Sequence, residues 1–156
     1  MGLTLQFAIG MAEQIIEAVA NDDFDFLDHL ETEKRLADFS LHLQPKDLDT
    51  LVNLIAISTK SPVKSLREHL LFDQPCVDEP DKGAIKVSPI ITKLFASQNE
   101  SNSTSIAKEW YRKMAEIYPG EGIEYSENGG EAVRKMIEIC QQASFANLDL
   151  IHIWFG

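Results

Sequence analysis

Cysteine is scarce in this chain, and its two cysteines form no recognisable ligand or disulfide pattern. Cys76 and Cys140 lie far apart, outside any CxxC motif and without histidines at metal-ligand spacing. This placement supports neither a disulfide framework nor a zinc site. The chain also begins without a Lys-led or Arg-led hydrophobic leader, so secretion is not expected. We therefore predict a cytoplasmic protein.

Long apolar runs and clustered basic residues are also missing. Polar residues such as Asn53, Asp149 and His152 interrupt the apolar stretches, so none approaches the roughly 20 residues that a membrane helix needs. The 14 Lys and Arg residues are scattered and are outnumbered by 25 Asp and Glu, which gives a net charge of -11. Because nucleic-acid binding draws its affinity from clustered cations, we predict neither membrane insertion nor nucleic-acid binding.

The common catalytic motifs are absent as well. The sequence contains no GxSxG elbow, no P-loop and no dinucleotide-binding fingerprint, so the hydrolase, NTPase and Rossmann classes have no local support. His29 and His42 lack metal-ligand spacing such as HxxxH. We therefore predict no catalytic residue, no metal and no cofactor. The pattern favours a protein without enzymatic activity but leaves that question open.

The length and composition are those of one soluble domain. The 156 residues are 44% hydrophobic and 25% charged, which is typical of globular proteins. A chain of this length can bury roughly two thirds of the surface that its unfolded form exposes. The polar loops at 73–83 and 97–105 are too short to divide it. We predict a single domain over residues 1–156.

The apolar pattern predicts a strand near each end of the chain. Leu3, Leu5, Phe7 and Ile9 occupy alternate positions, which is the period of a strand with one buried face. Residues 148–155 are rich in β-branched and aromatic residues, and residues 83–87 are the best candidate for a third strand.

The residues between these strands are mainly predicted to be helical. Apolar spacing and N-cap patterns indicate six or seven helices, at 11–20, at 24–39, from Pro45, from Pro62, from Pro89, at 105–117 and at 131–144. A two-stranded sheet is marginal alone, so helices must cover it. We predict an α+β fold: a mostly helical domain whose N- and C-terminal strands pair in a small sheet covered by helices.

The acidic run "EIYPGEGIEYSENGGE", residues 116–131, has two interpretations. As a connector between helices, Pro119 would end the first helix and the glycines at 120, 122, 129 and 130 would allow positive φ at turns. Asn128 and Glu131 have the spacing of an N-cap and its partner. As an ion site, the run would offer Glu121, Glu124, Glu127 and Glu131. It lacks the ligand order of an EF-hand, so we favour the connector.

"EIYPG" at 116–120, followed by "IEYSE", a helix and an apolar strand, resembles the C-terminal part of the YfbM-like family of small uncharacterised bacterial proteins. The opening "MGLTLQFA" and the helix after it are similar to the start of that family. The central "KDLDTLVNLIAISTKSP" lacks the Trp and the Leu-His pair of family members. The resemblance implies an α+β fold and a bacterial origin. It brings no established activity and no catalytic residues.

The run "DDFDFLDHLETE", residues 22–33, contains six carboxylates and no Lys or Arg. It is either a solvated helix face with a capping turn or a docking face for a basic protein, in which carboxylates speed association and aromatics supply buried contacts. The docking residues would be Asp22, Asp23, Phe24, Asp25, Phe26 and Asp28. Our leading hypothesis is a non-enzymatic protein-binding module with an acidic surface, for example an immunity-type protein.

The alternative hypothesis is an enzyme or small-ligand binder. Its pocket would lie near Trp110, Tyr111 and Tyr118, with His69 and Glu121 as further candidate ligand-binding residues. His152 falls on an apolar strand face, where we predict a hydrogen-bonded core or edge residue rather than a ligand.

Overall fold

A computed structural model describes residues 4–41 and 43–156 of the chain. Two residues named in the sequence predictions, Leu3 in the first strand and His42 among the histidines, lie outside the described residues. In chain order the described elements are β1 (Gln6–Gly10), α1 (Ala12–Ala20), α2 (Phe24–Thr32), β2 (Leu36–Asp38), α3 (Pro45–Ser58), β3 (Val77–Glu79), β4 (Lys82–Lys86), α4 (Pro89–Ala96), α5 (Ser103–Ile117), α6 (Glu127–Ala146) and β5 (Asp149–Phe155). The predicted α+β fold is confirmed.

The five strands form one antiparallel sheet in the order β2-β1-β5-β4-β3. The two terminal strands are neighbours, as predicted, with Phe7 of β1 opposite His152 of β5. On its other side β5 pairs with β4, which places Ile85 opposite His152 and confirms the strand predicted at 83–87. His152 therefore lies in the middle of the central strand.

Helices cover both faces of this sheet. One apolar cluster joins α1 and α2 to the face that carries Ile151 and Ile153 of β5. A larger cluster joins α3, α4, α5 and α6 to the opposite face, to which Phe7 and Leu150 contribute. Successive strand residues point to opposite faces, so His152 shares the face of Leu150 and lies under the four-helix layer.

The second helix is shorter than the sequence predicted. It ends at Thr32 rather than near Phe39, because Lys34 adopts the left-handed conformation with φ 59°, which ends a right-handed helix. The chain then forms β2, where Ala37 is buried as a strand residue. Ala37 therefore faces the core from a strand rather than from the helix predicted at 24–39.

The helix predicted after Pro62 is also wrong. Only a short 3₁₀ turn, Arg67–His69, forms in this segment. Val63 and Leu66 are still buried in the core. The turn is fixed by α3, because the backbone N–H and a guanidinium N–H of Arg67 both donate to the Asp49 carboxylate, at 3.1 and 2.8 Å.

The acidic run at 116–131 connects α5 to α6, as predicted. Gly120 and Gly122 take positive φ values of 86° and 64°, which glycine adopts without steric cost. The N-cap of α6 is Ser126 rather than Asn128, and its hydroxyl accepts from the Gly129 N–H. The predicted turn role of Gly129 and its neighbour at 130 is wrong, because both lie inside the helix.

Gly129 instead allows a close approach between α5 and α6. A Cβ atom at this position would lie 2.4 Å from the Tyr111 hydroxyl oxygen. That hydroxyl forms a hydrogen bond of 3.1 Å with Ser126. The glycine therefore leaves space for the contact that joins the two helices.

Gly83 has a similar packing role in the sheet and yields a testable prediction. It lies opposite Trp154, and a Cβ atom there would fall 1.9 Å from the indole ring. We expect Gly83→Ala to lower the free energy of unfolding by about 1–3 kcal/mol, because the ring must move off the sheet. Urea denaturation of Gly83→Ala, Trp154→Ala and the double variant measures this. If Gly83→Ala lowers the free energy of unfolding equally in the parent chain and in the Trp154→Ala variant, the packing explanation is contradicted.

Candidate functional site

Negative charge is concentrated on one outer layer of the molecule. Residues 11–33, which contain α1 and α2, carry eight of the 25 acidic residues and none of the 14 Lys and Arg. All eight carboxylates are exposed: Glu13, Glu17, Asp22, Asp23, Asp25, Asp28, Glu31 and Glu33. Because α1 and α2 together cover one face of the sheet, these residues belong to one helical layer, and we call the exposed carboxylates of residues 11–33 the acidic face.

Some of these carboxylates have structural roles. Asp23 caps α2 by accepting from the Phe26 N–H at 3.1 Å. Asp22 accepts from the Lys82 ammonium at 3.2 Å. Among the described residues, the side chains of Asp25 and Asp28 form no ion pair and no hydrogen bond. The predicted docking residues therefore include two carboxylates that are free to meet another molecule.

The two aromatic residues of the predicted docking face differ in their exposure. Phe24 is 52% exposed, and its ring centroid lies 5.2 Å from that of Phe155. Phe26 is half-buried and packs against the apolar cluster under α1 and α2. Phe24 therefore adds an accessible apolar contact to the acidic face, whereas Phe26 mainly supports the fold.

The aromatic residues of the alternative hypothesis hold α5 in place. The Trp110 indole N–H donates to the Asp47 backbone oxygen at 2.9 Å, and the Tyr118 hydroxyl donates to the Asp47 carboxylate at 2.8 Å. Trp110 is fully buried and Tyr111 is 8% exposed. These contacts attach α5 to the start of α3, and they leave little of Trp110 or Tyr111 for a ligand to touch.

The remaining residues of that hypothesis lie on other elements. His69 ends the 3₁₀ turn, and its backbone oxygen accepts from the Ser88 N–H at 2.8 Å. Glu121 is exposed on the connector before α6. In the part of the chain that the structure describes, no hydrogen bond or ring contact joins His69 to Trp110 or Tyr111.

A cleft that the sequence did not predict opens above His152. Its volume is about 350 Å³. The start of α3 forms one wall and the segment around the 3₁₀ turn forms the other. The lining residues are Gln44, Pro45, Lys46, Asp49, Leu66, Arg67, Leu70 and His152. We call this the His152 cleft.

The protonation state of His152 follows from its hydrogen bond. Its Nδ1 lies 3.2 Å from the backbone oxygen of Gln6. A carbonyl oxygen can only accept, so Nδ1 carries the proton and Nε2 keeps a lone pair. Burial lowers the pKa of His152 to about 4, against the opposing effects of the Gln6 hydrogen bond and the Asp49 charge. The imidazole is therefore neutral near pH 7.

The second nitrogen of this imidazole is unpartnered. Among residues 4–41 and 43–156, Nε2 forms no hydrogen bond, although His152 is only 4% exposed. In that same part of the chain every fully buried side-chain nitrogen or oxygen has a partner. Nε2 is thus not sealed inside the core, and its lone pair faces the cleft that His152 lines.

Charged groups stand at the rim of the cleft. Asp49 is held by Arg67, and this hydrogen bond raises the pKa of the guanidinium. Arg67 has five N–H donors in total, most of which remain for other partners. The Lys46 ammonium lies over the Tyr118 ring, 5.1 Å from its centroid. The described lining of the cleft thus contains two cations, Lys46 and Arg67, and one carboxylate, Asp49.

A larger cleft of about 570 Å³ lies beside the start of α1. Two of its charged groups are paired: Lys86 contacts Asp149 at 3.1 Å, and Asp149 also accepts from the Ala12 N–H at 3.2 Å. The exposed side chains of Glu13 and Glu17 also line it. This cleft is larger than the His152 cleft, but among the described residues no buried, unpartnered polar side chain lines it.

Comparison of the chain with protein-family models, curated proteins and solved structures finds no match. The YfbM-like resemblance therefore stays a prediction. Within the described residues, no helix has both the length and the apolar character needed to span a bilayer. The same residues contain no group of three or more His, Cys, Asp or Glu side chains placed to hold a metal ion.

Proposed function

We propose that this chain is a non-enzymatic protein-binding module that recognises a basic protein surface through its acidic face. The observation that supports the proposal is the segregation of charge: eight exposed carboxylates and no Lys or Arg in residues 11–33. An immunity-type protein that covers a basic partner is one example of such a module. A cytoplasmic location suits its two free cysteines.

The acidic face combines two contributions to binding. Its carboxylates raise the rate of encounter with a positively charged partner and disfavour acidic ones. The exposed ring of Phe24 supplies apolar area of the kind that anchors protein interfaces. Asp25 and Asp28 follow Phe24 on the same helix, so charge and apolar contact are offered together.

Reversing charge on the acidic face is expected to weaken a partner complex at least tenfold, which corresponds to about 1.4 kcal/mol. The variant is Asp25→Lys with Asp28→Lys. Its matched control is Glu121→Lys with Glu124→Lys, which changes net charge equally at exposed positions on the connector. A partner is captured from lysate of the source organism at low and moderate salt and purified, and its Kd for each variant is then measured.

The control separates specific docking from general attraction. Affinity should fall for the α2 variant and stay within about twofold for the connector variant, because the connector lies outside the proposed docking residues and salt screens the general attraction of surface charges. Equal losses in both variants, or no loss in either, would contradict the acidic face as the site. Failure to capture any partner at either salt concentration would contradict the protein-binding proposal itself.

A further inference from the structure

The His152 cleft combines three features that point to a ligand: an unpartnered lone pair on a largely buried side chain, apolar walls and a cationic rim. We propose that it binds a small carboxylate that has an apolar body and a hydrogen-bond donor at its far end. This inference is independent of partner binding at the acidic face, because α1 and α2 lie on the opposite side of the sheet.

The imidazole at the floor of the cleft can accept a hydrogen bond from a ligand. Nε2 of His152 is a lone-pair acceptor with no partner among the described residues, on a side chain that is 4% exposed. Because this acceptor is reached through the cleft, a hydroxyl or N–H group that enters the cleft can donate a hydrogen bond to it. A second carboxylate at this depth would meet a lone pair and be repelled.

The orientation of the imidazole is fixed before any ligand arrives. Its ring stacks on Phe7, with centroids 4.7 Å apart and planes 23° apart, and the Gln6 hydrogen bond prevents a ring flip. Nε2 therefore points in one direction. A preorganised acceptor binds with a smaller entropic cost than one that must be ordered.

The walls of the cleft favour a ligand whose central part is apolar. Leu66, Leu70 and Pro45 line the space between floor and rim, and Leu66 is only 4% exposed. These side chains offer no hydrogen bonds to the middle of a ligand. Apolar walls with a few convergent polar groups are the usual composition of small-molecule sites.

The cationic residues at the rim of the cleft favour a ligand with a negatively charged end group. Lys46 and Arg67 stand at the mouth, and the one carboxylate there, Asp49, is already bound by Arg67 at 2.8 Å. The remaining N–H groups of a guanidinium match the geometry of a carboxylate. On a chain with a net charge of -11, this is a local site where an anion is attracted.

The test uses three small probes that differ in one group each: 4-hydroxyphenylacetate, phenylacetate and tyramine. We expect the hydroxy acid to bind with a Kd of about 1 mM or lower, phenylacetate at least fivefold more weakly, and tyramine not at all. Binding is followed by NMR of the imidazole nitrogens. The Nε2 resonance of His152 should move upfield with the hydroxy acid, because its lone pair then accepts a hydrogen bond.

Two lysines provide a matched pair of variants. Lys46 lies over Tyr118 at the cleft, and Lys108 lies over Tyr125 elsewhere, with ammonium-to-centroid distances of 5.1 and 5.5 Å. Lys46→Gln should weaken 4-hydroxyphenylacetate at least fivefold, whereas Lys108→Gln should leave it unchanged. Leu70→Trp, which places a larger side chain between the floor and the rim of the cleft, should abolish binding.

Several results would overturn the proposal. These are no binding of 4-hydroxyphenylacetate at about 10 mM, equal affinity for the acids with and without the hydroxyl, and equal effects of the two lysine variants. Asp25→Lys with Asp28→Lys should leave probe binding unchanged, so failure of this proposal and failure of the partner-binding proposal are distinguishable.

Discussion

Replacement of Trp110 by alanine is expected to lower the free energy of unfolding by about 4 kcal/mol. The indole is fully buried in the four-helix layer, where its ring lies 6.0 Å from Phe39 and 5.4 Å from Tyr111 between centroids. Truncation leaves a cavity that rigid aromatic neighbours cannot fill. It also removes the hydrogen bond from the indole N–H to the Asp47 oxygen.

The measurement is urea denaturation followed by far-ultraviolet circular dichroism, since the variant lacks one of the two tryptophans. Trp110→Phe should cost less, because it retains a ring and loses mainly the hydrogen bond, about 1–2 kcal/mol. The control is Phe145→Ala, which truncates an aromatic side chain that is 95% exposed and should change stability by less than about 0.5 kcal/mol. Similar losses at positions 110 and 145 would refute this core assignment.

Acidification is expected to destabilise the protein through His152 by up to about 3 kcal/mol. Burial lowers the pKa of this imidazole from 6.5 to about 4 in the folded chain. Between these pH values the imidazole of His152 is protonated in the unfolded chain but stays neutral in the folded chain. The free energy of unfolding therefore falls as the pH falls. The loss begins near pH 6.5 and is complete near pH 4.

His152→Gln isolates this contribution from that of the carboxylates, because glutamine does not titrate. The decrease in the free energy of unfolding between pH 7 and about pH 5 should be roughly 2 kcal/mol larger in the parent chain than in the variant. NMR of the imidazole provides a direct check: the His152 signal should remain that of the neutral ring at about pH 5. An ordinary titration near pH 6.5 would show that the ring is not buried as described.

The elements with local signals were predicted well from the sequence. Alternation through Phe7 and Ile9 identified β1, and the β-branched and aromatic run identified β5. The pattern of Ser88 before Pro89 identified the start of α4, where the Ser88 hydroxyl accepts from the Ile90 N–H as an N-cap should. Each of these signals depends on neighbouring residues alone.

The elements without local signals were missed. β2 and β3 contain three residues each, too few for alternation to be visible, and they are strands because a neighbouring strand supplies their hydrogen bonds. The end of α2 was missed because Lys34 takes a left-handed conformation that glycine or asparagine usually marks. Contacts with residues distant in the sequence determine β2, β3 and the end of α2.

The two candidate sites also differ in how far the sequence alone reveals them. The acidic run at 22–33 is contiguous and could be recognised in the sequence, whereas Glu13 and Glu17 join it in one helical layer only because α1 and α2 pack on the same face of the sheet. The His152 cleft could not be recognised, because its walls come from two separate segments joined by the contact of Arg67 with Asp49. A histidine on an otherwise apolar strand face was the one signal available.

The pairing of β1 with β5 also determines when this domain can fold during its synthesis. Gln6 and His152 are 146 positions apart yet share a hydrogen bond at the centre of the sheet. β1 is synthesised well before β5 and cannot pair with it until translation, at about 5–20 residues per second, has produced the residues between them. During that interval the edge of β1 that pairs with β5 stays open even if β2 has paired with the other edge, and an unpaired strand edge is prone to aggregation.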